Sequence, residues 1–254
     1  MSPPFPIPVG FFSSTGGGGG GGGIVTGNLE LHLDAADAAS YGGSGTTWSD
    51  LTSNNYDFTL TGSPTYTASP GYFNFPSSGV RATNSDTISI TTGTAEFWIR
   101  VNNDGLTGGR IFMGCDLPGA GQGHWFGTGH FAASPTDESI EFNHNSGPTM
   151  DYRNGHADFA DGVWRHAVSV VDGVDNKLYI DGAAVTTYFR IGNSTSTSGK
   201  LWNTSVTYPA LIGGYTNTSY TFIGDVAVVR FYSVGLSASE VLQNYNNDKT
   251  RFGH

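Results

Sequence analysis

Thr94-Ala95-Glu96-Phe97-Trp98-Ile99-Arg100-Val101 is the stretch that decides the fold. Side chains of a strand alternate between faces. Ala95, Phe97, Ile99 and Val101 therefore share one apolar face, and Glu96, Trp98 and Arg100 share the other. A helix would scatter both sets around its circumference, so the segment reads as a central strand packed on two sides. Outward from it, Leu29-Glu30-Leu31-His32-Leu33-Asp34 alternates in the same way, and Arg110–Gly114 is expected to continue the sheet. Short strands are expected at Phe58–Leu60, Tyr72–Phe75, Asp86–Ile90, Ser139–Asn143, Leu211–Gly214 and Phe222–Tyr232. Trp164–Val171 and Lys177–Ile180 form a hairpin across Asp172-Gly173-Val174-Asp175-Asn176, and Asp181-Gly182 is a second turn leading to Ala184–Phe189. In the last strand, Val226, Val228 and Arg230 are expected on one face, with Ala227, Val229 and Phe231 on the other. Gly119–Gly129 and Ile191–Tyr208 read as long loops.

One helix is expected, at the end. Ser237-Ala238-Ser239-Glu240 is a capping box, Leu236 and Val241 occupy staple positions, and Val241, Leu242 and Tyr245 form an apolar stripe. These elements predict an all-β class: an antiparallel two-sheet jelly-roll sandwich with one C-terminal helix. The chain has 254 residues, enough for a sizeable core in one domain. With a single cysteine, Cys115, no intrachain disulfide forms, and the thiol reads as a small buried hydrophobe.

Residues 1–23 form a separate unit ahead of the 24–254 domain. Pro3, Pro4, Pro6 and Pro8 stand among Phe5, Ile7 and Val9, followed by Phe11, Phe12 and eight glycines, Gly16–Gly23. Proline favours an extended peptide, and a glycine run has the highest backbone freedom. A tail meant only for solvation carries few large apolar side chains. Phe5, Ile7, Phe11 and Phe12 are therefore expected to dock this arm on a partner. Its start lacks the basic and apolar regions of an export signal.

The formal net charge is −10, from 11 Lys and Arg against 21 Asp and Glu. Such a surface repels phosphate backbones and anionic membranes, so neither is expected as a partner. No stretch of about 18 apolar residues spans a membrane. Asn193, Asn203 and Asn217 begin Asn-x-Ser/Thr sequons, which read as chance in a Ser/Thr-rich region.

The ordered motifs resemble the concanavalin A-like lectin/glucanase superfamily in its laminin G-like form. Four segments carry the likeness: Leu29–Asp37 through Asp50-Leu51, Ala95–Arg100, Asp161–Ala167 with Leu178–Gly182, and Gly224–Tyr232 with Leu236–Val241. The ending Asn244-Tyr245-Asn246 through Arg251-Phe252-Gly253 is similar to copies in structural proteins of tailed bacteriophages. The resemblance implies two packed sheets with a concave face used for carbohydrate or protein binding. In some members it also implies calcium at a loop edge.

Catalytic glucanases of this superfamily carry three acids along one strand. The nearest pattern is Glu30-x-His32-x-Asp34, in which the middle acid is His and the last is the shorter Asp. These three read as a hydrogen-bonded polar face, and the chain is not expected to be an enzyme. For sugars, His124, Trp125, Asp151 and Tyr152 are the candidates, because aromatic rings stack on pyranose faces while polar groups fix hydroxyls. No cofactor is expected. Calcium stays open, with Asp34, Asp37, Asp50, Asp104, Asp116 and Asp151 as loop-placed candidates but no ligand set.

The leading expectation is a virion structural protein, capsid-surface or tail-associated, that docks by its N-terminal arm on other virion proteins. Its head would adhere to host-surface carbohydrate. Its place would be the virion surface, reached by host lysis. A homo-oligomer, trimeric by analogy, accompanies that expectation. A free carbohydrate-binding lectin module and a glycoside hydrolase relative are the alternatives.

Overall fold

The structure is a computed structural model that describes residues 22–77, 79–102, 110–116, 123–128, 140–144, 151–154, 159, 161–191, 201–204, 207, 209–214 and 222–254. The docking candidates Phe5, Ile7, Phe11 and Phe12, and Asp104 among the calcium candidates, lie outside the described residues.

The first strands are Leu29–Asp34 (β1), Thr47–Trp48 (β2), Phe58–Thr61 (β3), Thr65–Thr67 (β4), Tyr72–Phe75 (β5), Arg81–Asn84 (β6), Ser89–Ile90 (β7) and Gly93–Val101 (β8). The middle of the chain supplies Arg110–Asp116 (β9), Gly123–Thr128 (β10), Ile140–His144 (β11) and Asp151–Asn154 (β12). Trp164–Val171 (β13), Asn176–Ile180 (β14), Ala183–Ala184 (β15), Thr187–Ile191 (β16), Trp202–Asn203 (β17), Ala210–Ile212 (β18) and Gly224–Tyr232 (β19) follow. The helix Ala238–Asp248 (α1) and a 3-10 turn, Lys249–Phe252, close the chain.

The strands form two large antiparallel sheets. One runs β15-β14-β13-β8-β19-β5-β4, with β1 also on β19; the other runs β16-β12-β11-β10-β9-β18-β6-β3-β2. The apolar face of β8 predicted from the sequence lies between them. Phe97 and Ile99 pack with Leu31, Leu33, Phe73 and Phe75 of the same sheet against Phe58, Phe112, Phe126 and Phe142 of the other. Phe97 touches Phe126 at a centroid distance of 4.8 Å and Phe112 at 5.0 Å. Cys115 is buried in this interior, as its reading as a small hydrophobe requires.

Two segments read as loops contain strands. Gly123–Thr128 pairs with β9 and β11, and its residues from His124 on are buried. The glycines that suggested turns instead allow close backbone approach: a Cβ at Gly127 would overlap the Arg110 carbonyl oxygen. Within Ile191–Tyr208, Trp202 pairs with Ile90 and stacks on Phe126 at 5.3 Å. One large aromatic outweighs the polar composition around it.

The alternation expected for the last strand also fails, at one point. In the pairing with β8, Val226 faces Ile99 and Val228 faces Trp98, so Ala227 is an inserted bulge residue. After the bulge the faces exchange. Val226, Val229 and Phe231 enter the interior, whereas Ala227 and Val228 pack outside with Trp98, Trp164 and Phe252. The exchange also turns Arg230 to the outer face.

The C-terminal helix covers that outer face. The capping box forms as predicted: the Ser237 hydroxyl accepts from the Glu240 amide, and Glu240 accepts from the Ser237 amide at 2.8 Å. Leu236 and Val241 pack together on Val168, Val170, Tyr179 and Tyr232. The predicted stripe is only partly right, since Leu242 is exposed and the buried helix residues are Val241, Asn244 and Asp248. The sheet beneath presents charge, so the helix face that docks is partly polar. Gly182, in the left-handed region with φ 77°, completes the seat, because a Cβ there would come within 2.8 Å of the Tyr245 ring.

Candidate functional site

The nine-stranded sheet has a face turned away from the interior, and backbone pairing aligns one row of residues across it. Thr59 pairs with Thr83, Thr83 with Leu211, Leu211 with Gly114, Gly114 with Trp125, Trp125 with Asn143, and Asn143 with Asp151. Seven strands thus contribute to one line. Trp125 and Leu211 are buried, yet neither belongs to the interior between the sheets. Gly114, which has no side chain, is the cross-strand neighbour of Trp125. In the next row outward, Gly127 pairs with Ile111 and with the buried Glu141. The row holds an aromatic ring, threonine hydroxyls, an amide and a carboxylate residue, the residue types that recognise sugars.

The four sugar candidates read from the sequence divide between rows. Trp125 and Asp151 share this line. Tyr152 pairs with Phe142 and falls in the register row of Phe126. His124 is fully buried, 6.0 Å from Trp202. Sequence reasoning missed Thr59, Thr83 and Leu211. The polar alternation of Phe58-Thr59-Leu60-Thr61 was their one local signal.

Glu30, His32 and Asp34 lie on the opposite side of the molecule, on β1 beside the helix, and each is occupied. Glu30 accepts from Asn54 at 3.0 Å and from Ser233 at 2.6 Å. Asp34 takes both oxygens to Arg251, at 2.8 and 2.9 Å. His32 Nε2 accepts from Arg230 Nε at 3.1 Å. Burial, then the Arg230 charge, lowers the His32 pKa to about 4, so the ring is neutral near pH 7.

Arg230 is the centre of a buried network. It pairs with Glu96 at 2.6 Å and with Asp248 at 2.7 Å. Glu96 also receives Asn244 Nδ2 at 2.6 Å and lies 3.2 Å from His166 Nε2. Burial pushes the Glu96 carboxyl up, but Arg230, His166 and Asn244 together hold it well below the usual carboxylate range. Asn244 extends the network to the Tyr232 hydroxyl and, through Oδ1, to the Val25 amide. Asn244 and Asp248 tie the helix to the sheet, and Asn244 with the Tyr232 hydroxyl ties Val25 of the N-terminal segment to it.

Among the described residues, no three His, Cys, Asp and Glu side chains gather as a metal site requires. Of the calcium candidates, Asp34 binds Arg251, Asp37 caps the Ala39 amide, and Asp50 accepts from the His32, Thr52 and Tyr56 amides. Asp116 and Asp151 stand at strand ends in the backbone register. No described helix is long and apolar enough to cross a membrane.

Solved structures share this architecture. The binding domain of Paraclostridial Mosquitocidal Protein 1 superposes with a TM-score of 0.61 at 15% identity, covering 86% of this chain and 52% of that one. Trypanosoma rangeli sialidase in complex with the inhibitor DANA gives 0.60 at 14% identity, over 90% of this chain and 34% of that one. Domain 4 of AbnA, a GH43 extracellular arabinanase from Geobacillus stearothermophilus, in complex with arabinotriose, gives 0.56 at 17% identity, over 86% and 98%. The chain thus spans about half of the mosquitocidal chain and a third of the sialidase. No curated protein sequence matches it. These likenesses establish the fold. A family model matches residues 71–242, and the chain belongs to the concanavalin A-like lectin/glucanases superfamily.

Proposed function

We propose that this chain is a non-catalytic adhesion head that binds carbohydrate along the row carrying Trp125 on the nine-stranded sheet. The observation that carries the reading is the continuous line Thr83–Leu211–Gly114–Trp125–Asn143, with the indole beside a glycine. A sugar ring stacks on the indole, and neighbouring polar groups take its hydroxyls. A binding role is supported by similarity to a toxin's binding domain and to an arabinanase domain in complex with arabinotriose. The absence of catalysis is supported by the engagement of Glu30, His32 and Asp34 in fixed bonds, which leaves no acid pair on β1 for hydrolysis.

The test is a glycan array probed with the full chain and with Trp125→Ala. The wild type is expected to retain a discrete set of glycans. The variant, folded by near-ultraviolet circular dichroism, should bind about 10-fold more weakly or worse, because burying an aromatic ring contributes on the order of 1–2 kcal/mol. Equal binding by both proteins would refute the assignment.

A tethered form of the same reading has an observation of its own. Gln243 on α1 donates to the carbonyls of Gly22 at 3.0 Å and Gly23 at 2.9 Å. Gly22 and Gly23 therefore lie on the helix side, opposite the Trp125 row. That placement suits a virion protein, on capsid or tail, whose arm grips other virion proteins while the head, as a homotrimer by analogy, faces host glycans. Deleting residues 1–21 should abolish attachment to particles and spare glycan binding. Attachment that survives the deletion excludes the tethered form.

A further inference from the structure

The helix does not cover the whole outer face of the eight-stranded sheet. Beyond it the C-terminal 3-10 turn continues the cover: Phe252 stacks on Trp98 at 4.2 Å and meets Trp164 at 4.8 Å, and His254 Nε2 lies 2.8 Å from the Trp164 carbonyl oxygen. In the next outward row, Thr65 pairs with Asn74, Asn74 with Asp225, Asp225 with Arg100, and Arg100 with Trp164. Five strands build this line. Asp225 at its centre is 1% exposed, and both its oxygens are used. Oδ2 accepts from Arg100 Nε at 2.7 Å, and Oδ1 accepts from Asn74 Nδ2 at 2.8 Å.

That buried carboxylate fixes two groups lying nearer the surface. The Arg100 side chain keeps 30% of its area exposed, and Tyr72 and Asn74 are half-buried. The guanidinium carbon sits 5.2 Å from the ring centroids of both Tyr72 and Trp164, and Nη2 donates to the Tyr72 hydroxyl at 3.3 Å. No described residue accepts from Nη1 or donates to the Asn74 carbonyl oxygen. The surface thus offers a guanidinium donor, an amide acceptor and a hydroxyl beside two aromatic rings, all held before any ligand arrives. Preorganisation of this kind reduces the ordering cost of binding.

We propose that this row is a second ligand site, distinct from the Trp125 row and on the opposite sheet, for a short neutral oligosaccharide. Vicinal hydroxyls both donate and accept, matching the Asn74 oxygen and the Arg100 donors that no described residue takes. The stretch from Asn74 to Arg100 crosses three strands, roughly 10 Å, which fits a short chain of sugars. Asp225 neutralises Arg100, and the protein carries a net charge of −10, so an acidic ligand gains nothing here.

The experiment titrates maltotriose, cellotriose and arabinotriose, with sialyllactose as the acidic comparison, into the isotope-labelled full chain. It follows the Arg100 Nε–H and Trp164 indole N–H resonances. At least one neutral trisaccharide should shift both. Arg100→Lys should weaken that titration about 10-fold. Tyr72→Phe, which keeps the ring and the fold, should weaken it about threefold. Trp125→Ala should leave it unchanged, although it removes binding at the other sheet. The proposal is overturned if no neutral probe shifts these signals, if sialyllactose alone does, or if Tyr72→Phe titrates as wild type. It is also overturned if Trp125→Ala abolishes the shifts, a result that leaves the Trp125 reading standing.

Discussion

Two arginine–carboxylate pairs lie on the same outer face of the eight-stranded sheet, and their surroundings differ. Arg230 and Glu96 are 2.6 Å apart under the C-terminal helix, with side chains 2% and 0% exposed. Arg100 and Asp225 are 2.7 Å apart beyond the helix, with side chains 30% and 2% exposed. Contact distance therefore does not separate them; cover does. Under the helix the Arg230 Nε and Nη1 donors are turned to fastening elements together, and loss of one partner strands a charge in a dry interior. Beyond it the same chemistry keeps donors facing water, where a ligand can use them. The comparison teaches that in this sandwich the helix divides one polar sheet face into a structural half and an available half.

The widest gap between the halves should appear in stability. Arg230→Met leaves Glu96 and Asp248 buried without their cation and should cost about 3–5 kcal/mol. In thermal unfolding that is a fall of roughly 10 °C or more. Arg100→Ala, at the exposed pair, should cost about 1 kcal/mol or less. Equal losses would erase the distinction between the two halves.

Acid should act on the covered half next. His32 titrates at about 4 in the folded chain and near 6.5 when unfolded. Between those values the unfolded chain binds a proton that the folded chain refuses, so stability falls as the pH drops from 6.5 toward 4. The slope is roughly 1.4 kcal/mol per pH unit from this group. The groups facing His32 are Arg230, Asp34, Glu96 and Asp248. Glu96, held at about 2, extends the loss as the pH falls from 4.5 toward 2. Denaturant titrations across this range should show the decline, and His32→Gln should flatten its upper part. A smaller effect comes from the cap of the covering helix: Ser237→Ala should cost about 1 kcal/mol, read as a shift in the same titrations.

How far the sequence showed these regions follows from the range of the interactions. Strand β8 was legible because Phe97 and Ile99 alternate with Glu96 and Trp98 over eight residues. The helix start was legible because Ser237 and Glu240 are three residues apart. The hairpin of β13 and β14 announced itself through Gly173. By contrast, the Ala227 bulge leaves no local mark, yet it decides which face Arg230 occupies. Asn244 looked like an ordinary polar helix residue, because its partner Glu96 lies about 150 positions away, and Asp248 did too, because its partner Arg230 faces it only after the Ala227 bulge. The strand through His124 and Trp125 was hidden by glycines that serve close packing as well as turns. The same holds for the candidate surfaces: Trp125 and Asp151 share a row only through pairings across β10, β11 and β12. Asn74, Arg100 and Asp225 meet only because three distant strands adopt one register.

The central claim is that this sandwich binds carbohydrate and does not cut it. The most direct measurement incubates the full chain with an oligosaccharide that it retains, then recovers the sugar and determines its mass. The account predicts intact oligosaccharide after prolonged incubation. Shortened products that disappear in Glu30→Gln would contradict it.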